Sequence, residues 1–295
     1  MRLTTWVNGL SGCGVPEFYH MGVRGMVLNE RRAKVVAMAN QKGGVGKTTT
    51  AINLAASVAA LGKRVLVVDS DPQGNASSGL GWDKQSSQGG EEEALHLYHC
   101  LLDGVPAREA IVTVADLKGK LGVLPSRIDL IGVEVELMGA SKRERYLENL
   151  LDPVMDEYDY VFVDCPPSLG LLTINALTAA DSVIIPLQCE YFALEGLSQL
   201  VRTIRLVKNS YNERLVIEGV LLTMFDGRNR LTHQVASEVN EHFKGRLYKT
   251  VIPRNVRLSE APSYGKPALL YDRRSSGAVS YLQLAKEFLR HQKKS

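Results

Sequence analysis

The sequence predicts an α/β fold: a doubly wound, mostly parallel β-sheet with helices on both faces. Three observations carry this expectation. Short, continuously apolar runs such as Val35–Ala39 and Tyr160–Val163 recur along the chain, as strands buried on both faces require. Longer segments with helical spacing lie between and after them. Acidic residues follow directly on several apolar runs, at the strand ends where open α/β sheets bind ligands.

Taken in order, Val35–Ala39 is the first strand. Thr48–Leu61 (TTTAINLAASVAAL) is a helix closed by Gly62, and Arg64–Val68 is strand again. Residues 83–93 (DKQSSQGGEEE) are polar and Gly/Ser-rich and predict a mobile loop. Tyr160–Val163, Ser182–Leu187 and Val216–Leu222 are further strands, with Leu247–Ile252 as another candidate. Leu171–Ala180, Leu194–Lys208, Thr232–Phe243 and Ala278–Arg290 read as helices. No internal repeat and no linker interrupts residues 34–295, so one domain is expected there. Residues 1–33 are Gly-rich and aperiodic and read as a poorly ordered extension, with Met21 and Met26 as alternative starts.

Composition narrows the classes. Of 295 residues, 45% are hydrophobic and 23% charged, values ordinary for a soluble protein. No run of 18 apolar residues exists, which argues against a spanning helix. Cys13, Cys100, Cys165 and Cys189 are widely separated, which argues against a zinc site or a disulfide framework and fits a reducing cytoplasm. The first residues lack the pattern of a secretory signal. The net charge of +3 hides an asymmetry. Residues 201–295 carry 18 Lys and Arg against 8 Asp and Glu, whereas residues 1–200 carry 17 against 24. Such a split can mark a polyanion-binding face.

Between the first strand and the first helix lies Asn40-Gln-Lys-Gly-Gly-Val-Gly-Lys-Thr-Thr49. Glycines let backbone N–H groups curl around phosphate oxygens, and the helix N-terminus adds partial positive charge. Lys47 is expected to reach the β- and γ-phosphates, and the Thr48 hydroxyl to ligate Mg²⁺. The usual pattern is G-x-x-x-x-G-K-[ST]; here Gln41 replaces the first glycine and an extra lysine, Lys42, follows. The string KGGVGKT resembles the deviant phosphate loop of the ParA/MinD family of ATPases. The resemblance implies a P-loop NTPase fold and ATP with Mg²⁺ as cofactors. It makes Lys42, Gly43, Gly44, Val45, Gly46, Lys47, Thr48 and Thr49 the nucleotide-binding residues. It further implies that Lys42 reaches across an ATP-dependent homodimer to the partner's phosphates, with Gly43 at the seam.

The strings VLVVDSDPQGN (65–75) and VFVDCPPS (161–168) match the same family's second and third motifs. The resemblance makes Asp71 the residue that positions the attacking water. Asp164 supports the metal, and Asp69 assists the same network. In the carboxy-terminal third, LLTMFDGR (221–228) and VIPRNVRLSEAP (251–262) resemble ParA-type chromosome-partitioning proteins, often called Soj. The match extends over residues 34–291. It implies that the loop around Pro253 and Asn255 holds the adenine, and that Arg228 and Arg257 contact non-specific double-stranded DNA. Arg230, Arg254, Lys266, Arg273 and Arg274 are further candidates for that patch.

The resemblance thus implies a slow ATPase that drives chromosome or plasmid segregation with a ParB-type centromere-binding partner, in the cytoplasm and on the nucleoid. The main alternative is a MinD-like membrane-cycling ATPase, which needs an amphipathic tail beyond the last helix; only HQKKS follows Arg290. An iron–sulfur reductase needs cluster-ligating cysteines, and Cys165 and Cys189 lack that context. A non-catalytic scaffold sits poorly with Lys47, Thr48 and Asp71. The first 33 residues are too few and too Gly-rich for a helix-turn-helix module, so no specific operator binding is expected.

Overall fold

The computed structural model describes residues 32–82, 94–190, 193–243 and 245–293. The expected loop at 83–93 and residues 1–31 of the expected extension lie outside them. The strands are β1 (Lys34–Met38), β2 (Val65–Asp69), β3 (Val112–Asp116), β4 (Lys120–Leu124), β5 (Tyr160–Asp164), β6 (Ser182–Gln188) and β7 (Val216–Thr223). The helices begin with α1 (Lys47–Ala60), α2 (Asn75–Gly79), α3 (Leu97–Leu102), α4 (Ala107–Ala110), α5 (Gly132–Glu136) and α6 (Tyr146–Leu151). They continue with α7 (Leu171–Ala179), α8 (Ala193–Ser210), α9 (Arg230–His242), α10 (Val256–Glu260), α11 (Ala268–Tyr271) and α12 (Ser276–Gln292).

The strands form one sheet in the order β3-β4-β2-β5-β1-β6-β7. Every pair is parallel except β3 with β4. The doubly wound reading therefore holds, with an antiparallel edge. From β1 the chain moves to β2 on one side and later returns through β5 to β6 and β7 on the other. A crevice at the carboxyl ends of the central strands is the consequence.

The apolar runs explain the layering. In β2 all five residues are buried, and alternate side chains feed opposite faces. Leu66 and Val68 join one core with α7 and α8, while Val65 and Val67 join the other with α1 and α12. Helix α12 turns Tyr281, Leu284, Ala285 and Phe288 into that second core. Tyr281 meets Thr50 of α1 through a hydroxyl–hydroxyl hydrogen bond of 3.1 Å. The apolar stripe of the last helix therefore faces the core. Among the described residues no helix is long and apolar enough to cross a membrane.

Two differences from the sequence reading stand out. Residues 112–124 supply β3 and β4, which the sequence reading had not assigned. Conversely, Leu247–Ile252 is no ladder strand. It touches β7 through isolated bonds, Tyr248 N to Val220 O at 3.0 Å and Ile252 N to Leu222 O at 2.9 Å. Between them, the buried Glu287 carboxylate accepts from the Lys249 and Thr250 amides at 2.7 and 2.9 Å. Those donors are withdrawn from any strand partner.

Candidate functional site

The loop joining β1 to α1 is pinned at both sides. Asn40 Nδ2 donates to the Pro186 carbonyl at 2.7 Å, and Asn40 Oδ1 accepts from the Lys42 amide at 3.0 Å. The Thr223 hydroxyl donates to the Val45 carbonyl at 2.8 Å. Gly44 and Gly46 have φ of 75° and 86°, left-handed values that only glycine adopts cheaply. Gly46 is the N-cap of the 14-residue α1 and offers no capping side chain. The first-turn amides of α1 therefore remain available to an anion.

Lys47 is buried, and its Nζ donates to the Lys42 carbonyl at 3.1 Å. Burial lowers its pKa, opposed chiefly by the negative field of Asp164 and then by Cys165 and Asp71. Lys42 lies at the surface, where its ammonium pairs with Glu190. Gly43 is exposed, and a Cβ there would meet nothing within its own chain.

Asp69 and Asp164 are register partners at the ends of β2 and β5, and both are fully buried. Asp69 accepts from the Ser77 amide at 2.8 Å, the Ser77 hydroxyl at 2.6 Å and the Asp71 amide at 3.2 Å. Burial still pushes its pKa up to about 6. Neither oxygen of Asp164 has a partner within bonding geometry. Burial raises this carboxyl well above its ordinary range and Asp69 adds to the rise, while the Thr48 hydroxyl pulls it back. Two buried acids, one of them unsatisfied, form a place that gains from a cation. Among the described residues no group of three or more His, Cys, Asp or Glu side chains could hold a metal alone. The donor set suits Mg²⁺, which keeps water and phosphate ligands beside one or two protein oxygens.

Asp71 sits above these acids and faces a cleft of about 620 Å³ shared with Gly43, Gly44, Lys47 and Thr48. Its Oδ1 accepts from the Gln73 amide at 2.9 Å, and its carbonyl accepts from the Ser126 hydroxyl at 2.9 Å. Ser126 in turn donates its amide to Ser77 Oγ at 2.9 Å, so a buried serine pair ties Asp71 to Asp69. A second cleft of about 290 Å³ holds Pro253 and Asn255 and shares Gly46, Thr49, Met224 and Pro262 with the first. The Asn255 side chain is committed to the fold. It caps α10 by accepting from the Arg257 amide at 2.9 Å and donates to Ser276 Oγ at 2.6 Å.

Arg228 and Arg257 line neither cleft. Arg228 is 91% exposed and grips Asp226 with two bonds of 3.0 Å, which holds that carboxyl down at about 2. Arg257 pairs with Glu260 at 2.7 Å and Asp272 at 3.5 Å. Cys165 and Cys189 are buried, and burial pushes both thiols up, so they are poor nucleophiles and ligands.

The sequence reading missed Glu190, Thr223, Met224, Ser77 and Ser126. Met224 carries the one visible oddity, a left-handed φ of 48° at the junction of the two clefts. A non-glycine residue held there is a mark of functional sites. The serines are ordinary loop and helix residues in sequence and acquire meaning only through the acids they touch.

A family model described as an AAA domain matches residues 33–217. The chain is 57% identical to the sporulation initiation inhibitor protein Soj of Bacillus subtilis, covering 86% of this chain and 97% of that one. It is 53% identical to the chromosome partitioning protein ParA of Myxococcus xanthus, covering 92% of each. Among solved structures, cobyrinic acid a,c-diamide synthase from Mycobacterium smegmatis, with a bound ATP analogue and magnesium, superposes with a TM-score of 0.77. It is 37% identical, with 88% of this chain and 96% of that one covered.

Proposed function

Because the chain belongs to the ParA/Soj family of chromosome-partitioning ATPases, we propose that it is a Mg·ATP-dependent dimerising ATPase that binds DNA without sequence preference. In this reading it drives chromosome or plasmid segregation with a ParB-type partner, on the nucleoid. The observation that carries the nucleotide part is one arrangement. A buried Lys47 begins the uncapped helix α1 and lines a cleft of about 620 Å³, with the buried, unsatisfied carboxyl of Asp164 near enough to act on its charge.

The residues divide the work. Backbone amides from Gly43 to Thr49 and the Lys47 ammonium hold the phosphates. Thr48 and Asp164 hold the metal, with Asp69 fixing the neighbouring strand end. Bound Mg·ATP supplies the γ-phosphoryl group and the charge that neutralises it during transfer. Asp71 orients the attacking water, and its backbone is steadied by Ser126. The cleft holding Pro253 receives the base through backbone groups, since the Asn255 side chain is engaged elsewhere.

In the dimer, Lys42 leaves Glu190 and completes the partner's phosphate cage. The open space at Gly43 supports a seam there, since nothing inside the chain demands glycine at that position. Pairing two subunits sums the phosphate contacts of Arg228 and Arg257, and hydrolysis undoes the sum. The test is DNA binding against salt concentration with ATP, ADP and no nucleotide, for wild type and Lys42→Ala. Tight, salt-sensitive binding by wild type with ATP alone is expected. Equal binding by Lys42→Ala, or without nucleotide, overturns the reading.

A further inference from the structure

A cavity larger than either nucleotide cleft has no place in the nucleotide chemistry. It measures about 890 Å³ and runs between α8, the amino-terminal end of β7 and the end of α9. Leu194 and Val201 of α8, Val216 and Ile217 of β7, and Phe243 supply its apolar surface. Val216 is 41% exposed although it begins a strand of the central sheet. This is an uncovered apolar face beside an edge strand, a feature that folds ordinarily cover.

The rim is basic. Arg202, Arg205 and Lys208 project from α8 and Arg246 from the opposite side, against the single acid Glu241. Lys208 donates to the Glu213 and Leu215 carbonyls and Arg246 to the Ile217 carbonyl, so both are bonded to neutral backbone. None of the four pairs with a carboxylate among the described residues. Four uncompensated cations around an apolar floor favour an occupant with acids flanking an apolar face.

The shape selects a helix. From Leu194 to Lys208, α8 offers a wall about 21 Å long. An added strand is disfavoured, because the outer edge of β7 is already used. Arg246 takes the Ile217 carbonyl, and the Val220 amide and carbonyl bond Arg246 O and Tyr248 N at 2.8 and 3.0 Å. Nucleic acid is disfavoured too, since a phosphate backbone gains nothing from an aliphatic floor. The groove also lies at the amino-terminal end of β7. Arg228 instead follows that strand's carboxyl end, and Arg257 follows the Phe225–Pro253 bridge there.

We propose that the α8–β7–α9 groove docks an acidic amphipathic helix of a protein partner, apolar face down and carboxylates toward Arg202 and Arg205. The test uses the full chain and fluorescent peptides of about four helical turns. One is a Leu/Glu amphipathic helix, one the same pattern in Leu/Lys, and one the Leu/Glu composition scrambled. The Leu/Glu helix should bind about tenfold tighter than either control, and Arg202→Glu/Arg205→Glu and Val201→Asp should each lose about tenfold. Amide-exchange protection should centre on 197–208 and 215–217, with ATP turnover unchanged in both variants. The exposed arginine pair keeps the test valid should Val201→Asp misfold. No discrimination among peptides, indifference to the arginine reversal, or protection elsewhere overturns the proposal. So does a loss confined to binding of a short DNA duplex, which would make the groove a nucleic-acid face.

Discussion

Lys42 and Glu190 form an ion pair at the rim of the phosphate loop, with side chains 41% and 45% exposed. A pair so open to water contributes at most about 1 kcal/mol. It therefore holds Lys42 within its own subunit only weakly. Glu190→Ala should strengthen ATP-dependent dimerisation by up to about fivefold, with monomer stability moving by less than about 0.5 kcal/mol. Sedimentation velocity with ATP reads the first and thermal melting the second. A weaker dimer would mean that Glu190 acts across the seam instead.

Asp164→Asn should stabilise the nucleotide-free chain. The carboxyl is fully buried, takes no hydrogen bond of good geometry, and is the register partner of Asp69 on the next strand, so that burial and Asp69 outweigh the pull of Thr48 and Lys47. Burial disfavours its charge, and a neutral amide of the same shape removes that cost, a gain of order 1 kcal/mol. The same change should abolish the rise in melting temperature that Mg·ATP gives the wild type. Melting curves with and without Mg·ATP check both halves. A destabilised chain that still responds to Mg·ATP would remove Asp164 from the metal site.

Much of this site was legible because its parts sit at strand ends marked by continuous apolar runs. The phosphate loop, Asp69 and Asp164 all follow from where β1, β2 and β5 stop. Strands β3 and β4 were not legible. Gly122 interrupts the apolar run of β4, and the exposed Lys120 opens it. Leu247–Ile252 has strand composition, but Glu287, far along the chain, takes its amides. Glu190 and Ser126 act through partners 148 and 55 residues away, a relation that no local pattern carries.

His96 should make the chain acid-sensitive. It is fully buried. Burial pushes its imidazole down to about 4, and neighbouring His99 adds to this. Asp129, 3.7 Å away, and Asp103 pull it up, while Arg127 pulls it down. Between pH 6.5 and about 4 the unfolded chain binds a proton that the folded chain refuses. This contribution is complete above pH 6.5 and is lost as pH falls through that window, by about 3 kcal/mol in total. His96→Asn should flatten that part of the stability–pH curve in urea titrations, whatever its effect at neutral pH. An unchanged slope would place the acid sensitivity elsewhere.

Asp71→Ala should separate binding from turnover. The side chain faces the cleft but contributes no hydrogen bond to the loop from Gly43 to Thr49. ATP affinity should stay within about threefold, and hydrolysis should fall by about 10²-fold or more. Nucleotide titration and single-turnover hydrolysis measure the two. Normal turnover would remove Asp71 from the mechanism.

DNA binding through Arg228 and Arg257 depends on Asp226 as well as on the arginines. Arg228 donates two bonds to Asp226, so a phosphate competes with a carboxylate for the Nε–Nη2 edge of the guanidinium. Arg228→Ala/Arg257→Ala should weaken DNA binding and reduce the salt slope by about one per lost phosphate contact. It should leave ATP-dependent dimerisation intact, because neither arginine lines the nucleotide clefts. Asp226→Asn should act in the opposite sense. It removes the competing charge and one pole of the two-bonded grip, so affinity at low salt should rise by about two- to fivefold. The rise should shrink with added salt, as an electrostatic gain must. Filter binding or anisotropy across a salt series, with sedimentation as the dimer control, checks all three. Weaker binding by Asp226→Asn would show that Asp226 orients Arg228 for phosphate and does not compete with it.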